Sequence, residues 1–395
     1  MEKNEKKLKI GLFIDTFFPM IDGVIVVVDN LARRLSQLAD VSVFTIEGRK
    51  SFDDSKLPYK VVRCKKKFPL KFLDYDLPLP KKDKEFQTAL ENANLDIVHI
   101  HSPFSIGKMG VEYAKKRHIP VVATLHSQYK VDFKRAVKFN FIANLMVKRI
   151  MKAFNACDEC WPVNDGIDEL YVKDYKLTAK AKIHYNATDF VKIDFSKKDF
   201  EELDEKYNIQ KDEKVFLFVG RINKIKNIFF IAESLKILKE KGFKYKMLFV
   251  GSGTDEKKLI SKLKRDKIQE NVVLTGKIAN RDELAKLYAR SDLFLFPSKY
   301  DTDGLIKYEA ACYSTPVLLL KGTYCASNII DCVNGYLSEN SSQEYADKIV
   351  NIFSDMNKYN TVCENANRYL YRTWDNSVAQ TLEDYYRLIK EKNRE

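Results

Sequence analysis

Short apolar runs alternate with amphipathic stretches along nearly the whole chain. In the first half, residues 9–14, 41–46, 96–100, 120–125, 158–163 and 181–184 read as strands. Between them, residues 24–37 and 111–117 carry apolar positions at helical spacing. The second half repeats the alternation. Its strands are expected over 214–219, 246–250, 272–275, 293–296 and 316–320, and its helices over 228–241 and 305–313. Apolar strands separated by helices predict βαβ units and a parallel sheet covered on both faces. The chain is therefore expected to be α/β, with two halves of similar size. A polar stretch over 191–212 joins them, with a helical piece at 200–207, and the sequence after Gln343 is helical. The domains expected are 1–190 and 191–375, with 376–395 as a C-terminal helix returning to the N-terminal domain.

In open α/β sheets, ligands bind beyond the carboxyl ends of the strands. The informative residues should then lie just after the apolar runs. The sharpest such segment is residues 296–316, FPSKYDTDGLIKYEAACYSTP, in which Asp301 and Glu309 stand eight apart. Gly304 lies between them and precedes the predicted helix, where backbone N–H groups can approach an anion. Two carboxylates for hydroxyls beside amides for phosphate suit a sugar nucleotide. His99 and His101 end another strand at i, i+2 spacing, which points both side chains to one face. A metal would need a third ligand, and none is obvious in the sequence. Over residues 130–156, Phe133, Val137, Phe141, Leu145 and Met146 recur at helical spacing among lysines and arginines. This predicts one basic amphipathic helix, able to lie on an anionic membrane surface or to pack on a sheet with its lysines in solvent. Residues 65–72, KKKFPLKF, add a second basic and apolar patch.

Length and charge narrow the reading. At 395 residues the chain is long enough for two domains, and 45% hydrophobic content supplies two cores. A formal net charge of +13 draws it toward anions: nucleic acid, anionic lipid or phosphorylated substrates. No nucleic-acid motif is evident, so nucleic acid is not expected as a partner. Seven cysteines, an odd number, argue for free thiols, and Cys157 and Cys160 read as two thiols beside a strand rather than a metal site. No run of 18 apolar residues exists, and the apolar run after Lys3, Lys6 and Lys7 is too short for a signal peptide. The expected location is cytoplasmic, peripheral on the inner face of the membrane.

Several motifs in order carry a family resemblance. Residues 301–309 resemble the E-x7-E motif of the family 4 glycosyltransferases of the GT-B fold, here as D-x7-E. VGRINKIKN (219–227) resembles the VGR…KN segment, GSG (251–253) the G-x-G turn, VLTG (273–276) a strand end and VNG (333–335) a late turn. In the first half, FPMIDGV (18–24) resembles the opening loop and VVATLH (121–126) the P-V-V-x-T-x-H segment. The resemblance spans almost the whole chain. It implies two Rossmann-like domains facing a central cleft, and hexosyl transfer from a nucleoside-diphosphate sugar with retention of anomeric configuration.

Roles follow position by position. Arg221 and Lys226 match the diphosphate clamp, whose fixed cations stabilise charge on the leaving group. Glu309 matches the glutamate that binds the ribose, and Asp301 the carboxylate that contacts the donor sugar. Gly304, Leu305 and Ile306 would supply backbone amides, and Gly23 a close approach to the donor phosphate. Asp22 beside it could simply favour the turn. His126 would lie near the donor sugar and scissile bond, and His101 on the acceptor side. No cofactor or metal is implied, because Arg and Lys take a metal's place. The chain departs from the family pattern in three places: Asp301 is one methylene short, Ala187 stands for the glycine of N-G-[I/V]-D, and residues 322–327, GTYCAS, replace a glycine-rich loop. The opening loop and the DTDGLIKYE segment look most like bacterial enzymes that glucosylate diacylglycerol. This implies UDP-glucose as donor and a membrane lipid as acceptor. A polysaccharide glycosyltransferase and a non-catalytic sugar-nucleotide-binding protein are the alternatives.

Overall fold

The computed structural model describes residues 7–69, 76–137 and 139–394. Lys3 and Lys6 of the basic N-terminus, residues 70–72 of the second basic patch, Lys138 and Glu395 lie outside the described residues. The chain divides into two units, Met1–Asn186 with Trp374–Glu395, and Ala187–Thr373.

The first unit is built on a seven-stranded sheet in the order β3-β2-β1-β6-β7-β8-β9. Its strands are β1 (Lys9–Phe13), β2 (Asp40–Ile46), β3 (Lys60–Cys64), β6 (Ile97–Ile100), β7 (Val121–Leu125), β8 (Glu159–Pro162) and β9 (Lys180–Ala181). A short antiparallel pair, β4 (Lys67–Phe68) and β5 (Leu77–Pro78), stands apart from it. Every pairing within the seven-stranded sheet is parallel. The helix Trp374–Lys392 belongs to this unit. Its Val378, Tyr385 and Leu388 pack into the core with Leu12, Val122 and Trp161. Arg387 fixes it by pairing with Glu159 at 2.8 Å, and that carboxylate also accepts from the Trp161 indole at 2.8 Å.

The second unit is a six-stranded parallel sheet in the order β12-β11-β10-β13-β14-β15. The strands are β10 (Lys214–Val219), β11 (Tyr245–Val250), β12 (Val272–Gly276), β13 (Leu293–Leu295), β14 (Val317–Leu320) and β15 (Tyr336–Ser338). The run Val215–Phe218 is wholly buried, as a central strand covered on both faces requires.

Two expectations change. The first boundary falls after Asn186 rather than after residue 190. Thr188 pairs with Thr373 and donates its N–H to Arg372, and Phe190 lies in the second core, so the chain has already joined that unit. The single helix expected over 130–156 is two, Tyr129–Val137 and Asn140–Phe154. Phe139 between them is extended, with φ −106° and ψ 123°, which no helix passes through. The apolar stripe splits with it: Phe133 is buried, whereas Phe141 and Leu145 are exposed, as is Phe139 at the break. Among the described residues, no helix is long and apolar enough to cross a membrane.

Candidate active site

Each of the two large sheets has one point at which its strand order reverses. In the second unit the order reverses between β10 and β13, the topological switch point at which open α/β sheets bind ligands. The loop after β10 carries Arg221 and Lys226. The loop after β13 carries Asp301 and Gly304. Asn227 ties the two together. It sits in the left-handed region at φ +61°, where asparagine is tolerated, and its amide donates to Pro297 O at 3.0 Å. Gly251 holds the next strand end close. A Cβ there would lie 1.9 Å from Gly220 O, so only glycine fits.

The structure brings Lys226 and Asp301 into contact, Nζ to Oδ1 at 2.5 Å. The lysine also stands 5.6 Å over the Phe296 ring. Asp301 Oδ2 is buried and accepts no hydrogen bond. Gly304 has φ +71°, and a Cβ would meet Phe296 at 3.2 Å, so the turn favours glycine on both counts. The helix that follows, Ile306–Cys312, is one and a half to two turns long. The N–H of Lys307 closes on Gly304 O at 3.0 Å; those of Leu305 and Ile306 come before any intrahelical acceptor.

Glu309 lies in the first turn and does not stand open beside Asp301. It accepts from the Tyr288 hydroxyl at 2.7 Å, and Arg281 approaches it at 3.9 Å. Burial pushes the Glu309 carboxyl up, against the pull of Arg281 and Tyr288. Arg281 is itself placed by an ion pair with Asp189 and by stacking 3.8 Å over Phe190. Asp189 belongs to the segment in which Ala187 replaces glycine, and Ala187 is buried.

Lys307 and Asp303 are residues to which the sequence reading gave no role. Both are buried, and they pair at 2.8 Å. Lys307 also donates to Cys325 O at 3.0 Å and Asn328 Oδ1 at 2.8 Å, while Tyr308 donates to Asp303 at 2.9 Å. This network pins the 301–304 turn to the loop at 322–327. The i, i+4 spacing of Asp303 and Lys307 was visible, but their burial was not.

In the first unit the order reverses between β1 and β6. Asp15, after β1, accepts from Ser102 Oγ at 2.6 Å and from the Ile106 N–H at 2.8 Å, so it joins the two loops across the switch point. Burial pushes its carboxyl up despite these bonds. The sequence signal was an acid directly after a buried strand. Gly23 opens the helix Gly23–Leu35, capped by Asp22, whose carboxylate accepts from the Ile25 N–H at 2.9 Å. Nothing lies within 4 Å of where a Gly23 Cβ would be.

His101 and His126, after β6 and β7, meet at 3.1 Å through Nδ1 and Nε2. His101 Nε2 is buried with no partner. His99 is satisfied on both sides, by Tyr385 at 2.6 Å and Thr124 at 2.7 Å. Burial holds His99 and His101 well below the usual histidine range, and it lowers His184 to about 4 although Asp384 pulls the other way. His184 is thus neutral at pH 7, and its 3.0 Å contact with Asp384 is a hydrogen bond rather than an ion pair. A histidine lowered in the folded state takes up its proton on unfolding, so its stabilising share is complete above pH about 6.5 and is lost as pH falls. Acidification from pH 6.5 to 4 is expected to cost about 3 kcal/mol from His184 alone. His99 and His101 deepen the loss. Urea unfolding at stepped pH measures this, and His184→Gln should flatten the slope.

Comparison with known proteins now decides the family. The family described as "Glycosyltransferase Family 4" matches residues 21–191, and that described as "Glycosyl transferases group 1" matches residues 199–369. The chain belongs to the family 4 glycosyltransferases. This glycosyltransferase is 29% identical to an alpha-monoglucosyldiacylglycerol synthase of Streptococcus pneumoniae, over 84% of its own length and 75% of the relative's. It is 27% identical to the synthase of the same name from Acholeplasma laidlawii, over 91% and 92%. Among solved structures it resembles HepE of Anabaena, in complex with UDP and glucose. That match has a TM-score of 0.72 at 16% identity and covers 95% of this chain and 99% of the other. The architecture is GT-B, with one parallel-sheet Rossmann-like unit in each half of the enzyme.

Proposed function

We propose that this glycosyltransferase moves glucose from UDP-glucose to a membrane-lipid acceptor such as diacylglycerol, with retention at the anomeric carbon. The observation that carries the reading is the meeting of the Lys226 loop and the Asp301–Gly304 turn at the switch point of the second unit. In this reading Arg221 and Lys226 hold the diphosphate, and the N–H groups of Leu305 and Ile306 beside Gly304 add to the grip. Glu309 binds the ribose and Asp301 the sugar. Gly23 and His126 of the first unit serve the donor phosphate and the sugar, and His101 the acceptor side. The bond from the anomeric carbon to the phosphate oxygen breaks as the acceptor oxygen bonds to that carbon. The acceptor's proton passes to the departing phosphate on the same face, and the nucleoside diphosphate leaves. Arg221 and Lys226 supply the charge stabilisation that a metal would otherwise give. The protein's part is to position reactants and stabilise charge.

The donor is supported by the UDP and glucose bound to HepE, and the lipid acceptor by the two diacylglycerol-named relatives. Exposed Phe139, Phe141 and Leu145 at or just before the helix whose Lys148 and Lys152 line a groove with Lys115, Lys130 and Lys176 support peripheral binding to an anionic bilayer. Radiolabelled UDP-glucose offered with diacylglycerol vesicles and, separately, with glycan acceptors tests the reading. Label in the chloroform phase is the expected result. Label only in glycan would move the enzyme to polysaccharide synthesis, and label in neither, with UDP-glucose still raising the melting temperature, would favour a sugar-nucleotide-binding protein.

A further inference from the structure

We infer that Asp301 is an internal competitor for the diphosphate: its carboxylate occupies Lys226 and must yield that cation when the donor binds and reclaim it when the nucleoside diphosphate leaves. The inference rests on the proposed role of Lys226 and goes beyond it, because it gives Asp301 a function in product release.

The geometry carries the argument. Lys226 Nζ and Asp301 Oδ1 are 2.5 Å apart, with both side chains about one-fifth exposed, at 23% and 18%. A charge-assisted contact partly shielded from water is stronger than a solvated surface pair. The two partners come from separate loops, 75 residues apart, and each loop is anchored independently. Lys226 N donates to Asn223 Oδ1 at 3.2 Å, and the backbone N–H of Asp301 faces Ser298 Oγ at 3.4 Å. The pair therefore does not hold the loops together by itself, since Asn227 already spans them. The second carboxylate oxygen is the independent observation. Oδ2 is buried and accepts nothing, and a buried acceptor without a donor is costly. A hydroxyl donor would satisfy it. As phosphoryl oxygens take Lys226, the carboxylate exchanges a cation for sugar hydroxyls, so sugar and diphosphate must both be present for full compensation. Once the sugar has left, the hydroxyls are gone. Asp301 then returns to Lys226 and weakens the hold on the nucleoside diphosphate.

Isothermal titration of the full-length protein with UDP tests the inference. Asp301→Asn is expected to bind UDP about tenfold more tightly than the parent, because the internal competitor is gone. In a Lys226→Met background the same substitution is expected to change UDP affinity less than about twofold. With Lys226 present, Asp301→Asn is also expected to lower turnover and to make UDP a stronger product inhibitor. Tighter UDP binding of equal size with and without Lys226 would show general repulsion rather than competition, and would overturn the inference. Unchanged or weaker UDP binding in Asp301→Asn would overturn it directly. If neither parent nor variants bind UDP while their melting curves are normal, the donor-site reading fails and this inference with it. The two failures are thus distinguishable.

Discussion

Asp303→Asn is expected to destabilise the second unit by about 3–5 kcal/mol, the usual cost of removing one partner from a buried ion pair. Lys307 is 1% exposed, and Asp303 is the carboxylate on it, at 2.8 Å. The substitution keeps the side chain's shape and an acceptor for the Tyr308 hydroxyl. What it removes is the negative charge. Lys307 then keeps a buried ammonium with neutral oxygens alone as partners, those of Cys325, Asn328 and the new amide. Adding Lys307→Met should recover much of the loss, because removing both charges spares each the cost of an uncompensated burial. Urea unfolding of the single and double variants reads both steps. If Asp303→Asn costs less than about 1 kcal/mol, the buried pair does not hold the turn. The same loss should reach function, since the network ties the Gly304 turn to the neighbouring loop, and a donor site displaced by a fraction of an ångström loses positioning.

How much of this was legible beforehand depends on the kind of signal. Central strands such as β10 were plain, because a strand buried on both faces must be apolar throughout. The edge strand β3 was missed, since KVVRC is short and its apolar positions neither alternate nor form an unbroken run. The helices Glu256–Arg265 and Arg281–Arg290 were not named either, for their sequences are dominated by charge. The helix break at Phe139 was invisible to periodicity, which continues in phase across it. The family motifs gave the D-x7-E segment, Arg221 and Lys226. They did not give side-chain direction. Sequence spacing suggested that Asp301 and Glu309 flank the helix start together. In the folded chain one turns to Lys226 and the other to Tyr288 and Arg281, because partners 75 and 21 residues away decide where each carboxylate points. Asp15 and Asn227, which hold loops across the two switch points, act through contacts that only the tertiary fold creates.

Lys226→Ala is expected to lower kcat for glucosyl transfer about 10²–10³-fold, with a smaller effect on donor KM. The reason lies in when the charge appears. The diphosphate gains negative charge as the glycosidic bond breaks, so a fixed ammonium stabilises the transition state more than the bound donor. Losing one such group from a preorganised site costs about 3–4 kcal/mol in comparable cases. Lys226 is preorganised here: its backbone is held by Asn223, and its Nζ stands over the Phe296 ring. Lys226→Arg should restore only part of the rate. It keeps the charge, but a planar fork replaces a compact point charge in a space set by the Phe296 ring. Glu309→Gln should behave differently, raising donor KM with a modest change in kcat, since the ribose contact proposed for Glu309 would be made equally in the ground and transition states. Steady-state kinetics with UDP-glucose over a range of donor concentrations separates the two patterns. If Lys226→Ala kept more than a tenth of the parent kcat, the charge that drives departure of the diphosphate would have to come from elsewhere, and Arg221 would be the first residue to replace.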